Sequence, residues 1–329
     1  MKRFSLLTLF FVFTLMTSIY LAGSSHAQGS ESESMGEQIA FIRNGDVWLM
    51  NPDGSDQRAF VVGISNAKGR MSWAPDNGRL AFSRQGKVDI KFPEGGGGYH
   101  YLYDLFYAFP DSLPERKNFW MGFTNTLGSQ SPDWSDNGKT ICFTYDRMGN
   151  VVDASVPEYS IGFYDPETET FSHMEMPQDE KQLFPLMPSI SPDGSKVCFV
   201  LGELQSSGMK KLGLVVLPLE GELPATDVLV ETASNNPDGS SPDWSPDGTK
   251  ILFLQSEGVY TANADLSGEK LVCKPEEGLW ITGMASWSPD GNKIAFGTSN
   301  GAIYTVNLDG SGMIRISGPG NDSNPTWTK

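Results

Sequence analysis

Short apolar runs, punctuated by Pro, Asp and Gly, recur along this chain. Ala285–Phe296 reads ASWSPDGNKIAF and Pro242–Phe253 reads PDWSPDGTKILF. Looser copies stand at Met71–Phe82 (MSWAPDNGRLAF), Pro132–Phe143 (PDWSDNGKTICF) and Pro188–Phe199 (PSISPDGSKVCF). After its Asp-Gly turn, the copy that begins at Ala285 continues through KIAF, AIYTVN, a second turn at 308–311 and MIRI. β-prone runs of this length between turn residues predict four short antiparallel strands, here called A to D, in a meander. The Pro-Asp-Gly has a backbone purpose. Pro presets φ for the first turn position, the Asp side chain caps the turn, and Gly takes the left-handed conformation that closes a short hairpin. These aspartates are therefore read as turn residues. Trp73, Trp134, Trp244 and Trp287 recur on strand A, with Ile190 in one copy, and are read as core plates between neighbouring sheets.

One such sheet cannot bury both of its faces, so the copies are expected to pack face to face around an axis. A sixth strand A ends the sequence at Asn324–Trp327 with no strand B after it, while Ile39–Phe41, Val47–Met50 and the turn 51–54 supply B, C and D without an A. The two ends complete one blade. The fold class predicted is all-β, a six-bladed β-propeller of four-stranded antiparallel blades closed by pairing of the N- and C-terminal strands. The WSPDGxxIAF repeats resemble the PD40 repeats of TolB-like propellers over nearly all of the chain beyond its first residues. That resemblance implies a binding or scaffold role. The first strand begins about a dozen residues after the expected cleavage site, which leaves no room for that family's N-terminal α/β domain, so a Tol-Pal role is not expected.

The start of the chain changes where the propeller is placed. Lys2 and Arg3, an apolar run from Phe4 to Tyr20 and the small residues up to Ala27 have the pattern of a secretory signal peptide. Residues 1–27 are read as that signal, 28–38 as a short linker and 39–329 as one propeller domain. The apolar run is short for a membrane span, and Leu21-Ala22-Gly23-Ser24 has Ser where a lipobox needs Cys. A released periplasmic or extracellular protein is expected, monomeric and without a transmembrane segment in its mature chain. Without Lys2 and Arg3, 22 basic residues face 40 acidic ones, a formal charge of −18, which argues against nucleic acid as a partner. Cys142 and Cys198 hold equivalent repeat positions, about one sheet spacing apart and beyond disulfide reach. Cys273 has no partner by the same logic.

Chemistry is sparse. Beyond the signal the histidines are His100 and His173, in different repeats. No paired metal-ligand spacing and no GxSxG elbow appears, so no cofactor, metal or catalytic residue is assigned. Oligogalacturonate lyases share similar repeats but use a histidine-rich metal site, which two histidines fit poorly. Two binding regions are expected instead. The first is the axis opening, where the polar residues Arg70, Gln130, Ser131, Asp133, Ser240, Asp243 and Asn324 precede the strand A aromatics. The second is the rim of B–C and D–A loops. B–C connections are short after Phe41, Phe253 and Phe296 but long after Phe82, Phe143 and Phe199, giving loops at 83–100, 144–160 and 200–211 beside an aromatic D–A segment at 105–130. Tyr99, His100, Phe119 and Trp120 are the candidate contacts there, for a protein or glycan partner. The opposite rim, of A–B and C–D turns, reads as structural. The alternative is a carbohydrate-active enzyme, lyase or glycosidase, using axis carboxylates such as Asp133 and Asp243.

Overall fold

The alternation of β-prone runs and turns becomes six antiparallel sheets among the described residues of a computed structural model. Described are residues 36–329 except 64–65, 92–96, 109–114, 117–130, 147–158, 175, 177–182, 206–207, 221–239, 256 and 319. The first sheet runs Asp322–Trp327, Ile39–Arg43, Asp46–Met50, Arg58–Val61. The second runs Ala67–Trp73, Leu80–Lys91, Gly97–Ala108, Glu115–Arg116. The third runs Asp133–Trp134, Ile141–Asp146, Tyr159–Asp165, Thr170–Met174. The fifth (Ser240–Trp244, Lys250–Gln255, Gly258–Asn263, Lys270–Cys273) and sixth (Ile281–Trp287, Lys293–Thr298, Ala302–Asn307, Ile314–Arg315) follow the same plan. Among the described residues the fourth has three strands, Leu183–Ile190, Lys196–Gln205 and Gly208–Pro218. Five sheets thus meet the four-strand expectation, and in the fourth the residues that follow its third strand, 221–239, lie outside the described residues. In the first sheet Ile39 lies opposite Trp327 and Arg43 opposite Asp322.

The sheets stack as propeller blades, and each interface is made the same way. The strand B position that carries Ala81, Cys142, Cys198, Leu252 or Ala295 faces one neighbouring sheet, and the flanking strand B residues face the other. Ala81 packs with Trp134 and Phe143, Cys142 with Ile190 and Phe199, Cys198 with Trp244 and Phe253. Leu252 meets Trp287 and Phe296, Ala295 meets Phe41 and Trp327, and Ala40 meets Trp73 and Phe82. Trp73 and Trp134 are wholly buried. The three cysteines are buried and unbridged.

The turns are satisfied locally, as their residue types require. Ser245 Oγ donates to Asp247 Oδ1 (2.6 Å), the same oxygen accepts the Thr249 N–H (3.0 Å), and Lys250 N donates to Ser245 Oγ (2.9 Å). Ser191–Asp193 and Ser288–Asp290 repeat this network. The serine hydroxyls, followed by the turn N–H groups, hold Asp193, Asp247 and Asp290 below the usual carboxylate range.

Two of the three lengthened loops prove to be strands. Leu80–Lys91 and Gly97–Ala108 pair continuously from Leu80↔Ala108 to Lys91↔Gly97, and Lys196–Gln205 pairs with Gly208–Pro218 out to Gln205↔Gly208. The expected loops at 83–100 and 200–211 are long hairpins. Leu105–Ala108, expected in a D–A segment, belongs to strand C. Residues 147–158 of the third loop lie outside the described residues.

Candidate functional site at the inner strands

Every described innermost strand of length carries an irregularity just before its aromatic, or before Ile190 in the fourth sheet. The ladder skips between Lys68 and Met71, Leu186 and Ser189, Ser240 and Asp243, and Thr282 and Ala285, and between Ala40 and Ile42 opposite Asn324 and Pro325. Each skip has a residue at positive φ: Gly69 (72°), Met187 (52°), Ser241 (53°), Gly283 (72°), Asn324 (52°). These are β-bulges, which bend a strand and re-aim its side chains. Pro188, Pro242 and Pro325 follow three of them, where a missing N–H breaks no ladder bond. The second and sixth sheets instead hold one extra residue in the bulge, Arg70 and Met284.

Beyond the bulges, one polar side chain in each of five sheets stitches it to the next. Ser72 Oγ accepts the Trp134 N–H (2.9 Å), Asp133 Oδ2 that of Ile190 (2.9 Å) and Ser189 Oγ that of Trp244 (3.3 Å). Asp243 Oδ2 accepts the Trp287 N–H (3.3 Å) and Ser286 Oγ that of Trp327 (3.2 Å). Asp133 and Asp243 therefore take a structural place that serine fills in other sheets. Asp133 also accepts Ser72 Oγ (3.1 Å) and Ser189 Oγ (2.8 Å).

The bulge aims Arg70 away from its own sheet toward the fifth. Its guanidinium donates from Nη1 to Asp243 Oδ1 and from Nη2 to the Pro242 carbonyl, and Nη1 lies 3.9 Å from Asp133 Oδ2. Arg70 is 5% exposed. Burial works against its charge, but the Asp243 and Asp133 carboxylates overcome it and raise the guanidinium above its ordinary value. Burial pushes the Asp243 carboxyl up to about 6, with Arg70 pulling it down and the Asp133 charge adding to the rise. One cation thus serves two carboxylates, and a net negative charge is left at the floor of a funnel.

That funnel has a volume of about 180 Å³. Its floor is Arg70, Asp133 and Asp243, its wall includes Ser286 and Trp327, and its mouth lies among Asp136, Pro192, Pro246, Pro289 and Lys329. It opens on the side of the A–B turns, the rim that reads as purely structural in the sequence. Arg70 Nε and Trp327 Nε1 are buried N–H donors without an acceptor among the described residues. At the mouth Lys329 Nζ donates to the Trp134 carbonyl and pairs with Asp136 Oδ1.

Of the expected axis residues, Arg70, Asp133 and Asp243 come together. Ser240 and Asn324 do not join them: Ser240 Oγ donates to the Leu254 carbonyl (3.1 Å) and Asn324 Nδ2 to that of Gly69 (2.5 Å). Neither lines the funnel. Ser131 is buried and is likewise absent from the funnel lining, and Gln130 lies outside the described residues. On the other rim, Phe119 and Trp120 lie outside the described residues, and Tyr99 and His100 sit in strand C opposite Asp89 and Val88. The sequence reading missed Asp136, Lys329 and Ser286. It also missed Trp280, 61% exposed, which is tied to the neighbouring B–C turn through Ser299 N to the Trp280 carbonyl (2.9 Å). Among the described residues no group of three or more His, Cys, Asp and Glu side chains could hold a metal ion, and no helix is long and apolar enough to cross a membrane.

No family model and no curated protein matches this chain. Among solved structures it resembles a putative TolB from Agrobacterium tumefaciens, with 14% identity, TM-score 0.55, and coverage of 88% of this chain and 92% of that one. It also resembles a chain of a nidogen/laminin complex, with 9% identity, TM-score 0.54, and coverage of 89% and 99%. The periplasmic gluconolactonase PpgL of Pseudomonas aeruginosa aligns at 13% identity and TM-score 0.48, over 86% and 82%. At these identities the likeness shows the fold, an all-β propeller of small antiparallel sheets.

Proposed function

We propose that this chain is an exported, monomeric, non-catalytic binding or scaffold module for a protein or glycan partner, whose site is the funnel. In this reading residues 1–27 are a signal peptide, 28–38 a linker, and the rest a six-bladed ring, with 39–329 as one domain in the periplasm or outside the cell. Six core clusters that each join successive sheets, the last joining Ala295 and Ile303 to Ile39 and Trp327, support the closed ring. The nidogen/laminin complex is one in which a similar propeller meets a protein partner. The observation that carries the binding reading is the funnel itself, a polar recess at the ends of the inner strands lined by the Arg70, Asp133 and Asp243 side chains.

A carbohydrate-active enzyme is the second reading, favoured by the raised Asp243 carboxyl beside Asp133, since paired carboxylates with separated pKa values are the usual acid/base arrangement. Against it, each of the four carboxylate oxygens already accepts from a protein donor. The test is retention of exported proteins and glycans by the wild type and by Met284→Trp, a larger side chain at a position that lines the funnel. Retention lost in a folded Met284→Trp supports the funnel. Unchanged retention moves the site to the rim bearing Tyr99, His100 and Trp280. Glycan turnover that disappears in Asp243→Asn would sink the non-catalytic reading.

A further inference from the structure

Two A–B turns depart from the repeat, and they are neighbours. Four copies place Gly at the left-handed turn position (Gly138, Gly194, Gly248, Gly291), whereas the second sheet has Asn77 there at φ 54°. Glycine would adopt this conformation without penalty, so the turn itself does not ask for the amide. In the third sheet Asp136 stands where the others have Pro75, Pro192, Pro246 and Pro289. Asp136 is not the turn's capping residue. Asn137 does that work, accepting from Ser135 Oγ (2.8 Å) and Lys139 N (3.0 Å).

Both departures converge on one residue. Asn77 Nδ2 donates to the Lys329 carbonyl (2.7 Å) and Asn77 Oδ1 accepts the Lys329 N–H (2.7 Å), a two-point clasp on the main chain that ignores the side chain. The ammonium is read separately by the Trp134 carbonyl and Asp136. Backbone pairing plus a side-chain pocket is the division of labour by which proteins hold extended peptides. The funnel below is smaller than the roughly 300–1,000 Å³ of pockets that enclose small molecules, and its floor carries excess negative charge, so it suits a cationic side chain better than a whole ligand.

We propose that Asn77, the Trp134 carbonyl and Asp136 form a docking site for an extended peptide segment presenting a lysine, which Lys329 occupies as an internal ligand that a partner's lysine displaces. This rests on the binding-module reading and names its ligand chemistry. A tethered occupant competes at an effective concentration on the order of millimolar, so removing it should unmask the site.

The experiment titrates a fluorescent acetyl-Thr-Lys-amide probe into the wild type and a variant lacking Lys329, with melting temperatures to verify folding. The variant should bind at least tenfold more tightly than the wild type. The gain should vanish when norleucine replaces lysine in the probe, and in Asn77→Gly and Asp136→Pro, which restore the repeat's own turn residues and so keep the fold. Equal or absent binding in wild type and variant, equal binding of the norleucine probe, or a gain that survives both turn substitutions would overturn the lysine site. Failure of the probe with partner retention by the wild type intact removes only this inference; loss of retention as well removes the binding module.

Discussion

Replacing Arg70 with Met should reveal how strongly the buried cation ties the second sheet to the fifth. The change leaves Asp243 and Asp133 in the funnel floor without their shared counter-charge, and the Pro242 carbonyl without its donor. Removing one partner of a buried ion pair costs about 3–5 kcal/mol. For a domain of this size that corresponds to a melting temperature lower by about 5–8 °C at pH 8. The sign of the pH effect follows from Asp243. Its folded-state carboxyl is raised from 3.8 to about 6, so the proton-linked stability it contributes is fully present below 3.8 and is lost as pH rises through 6. At pH 5 the Asp243 carboxyl in Arg70→Met is neutral, one of the two stranded charges is gone, and the destabilisation should shrink. Urea unfolding of wild type, Arg70→Met and Arg70→Met/Asp243→Asn at pH 5 and 8 measures this, and the double variant should recover much of the loss at pH 8. A loss under 1 kcal/mol at pH 8, or an equal loss at both pH values, would refute the reasoning.

Trp327→Ala should cost about 3–5 kcal/mol, because Trp327 is 4% exposed, pairs with Ile39 and packs with Phe41 and Ala295; an unchanged urea midpoint would remove the first sheet's dependence on its last strand. Gly301→Ala should destabilise by at least about 1–3 kcal/mol, the usual cost of a non-glycine in a left-handed conformation, since φ is +70° and a Cβ there would run into the Gly320 carbonyl. A melting temperature within a degree of wild type would contradict it.

The strand plan was legible because turn chemistry and apolar alternation agree: Ser-Pro-Asp-Gly demands a hairpin, and the aspartates read as turn caps accept from their own turns. The long hairpin after Phe82 was also written in the chain. Lys87-Val88-Asp89-Ile90 alternates polar and apolar residues, but equating short connections with the repeat hid it as loop. What strand periodicity cannot carry is the reach of Arg70. A bulge with one extra residue is invisible to an alternation count, and the acceptor of its guanidinium lies 173 positions along the chain. The axis aspartates were read as binding residues, or alternatively as catalytic carboxylates; what the sequence did not carry is that Asp133 accepts the Ile190 N–H and Asp243 the Trp287 N–H of the next sheet.

Within a repeat protein each copy inherits a sequence that already satisfies its own backbone, so a departure forfeits local bonds or conformational ease unless something outside the repeat compensates. The turns that keep Ser-Pro-Asp-Gly spend their polar groups on themselves: Asp193, Asp247 and Asp290 accept from their own serines and turn N–H groups. Arg70, an inserted bulge residue, Asn77 in place of glycine and Asp136 in place of proline each aim a polar group out of their own sheet, and all three act around one funnel. Neutral drift would scatter such departures over six sheets and both rims. Their concentration on adjacent sheets, with complementary targets, is the physical reason to look for recognition at the rim of short turns before the rim of long loops.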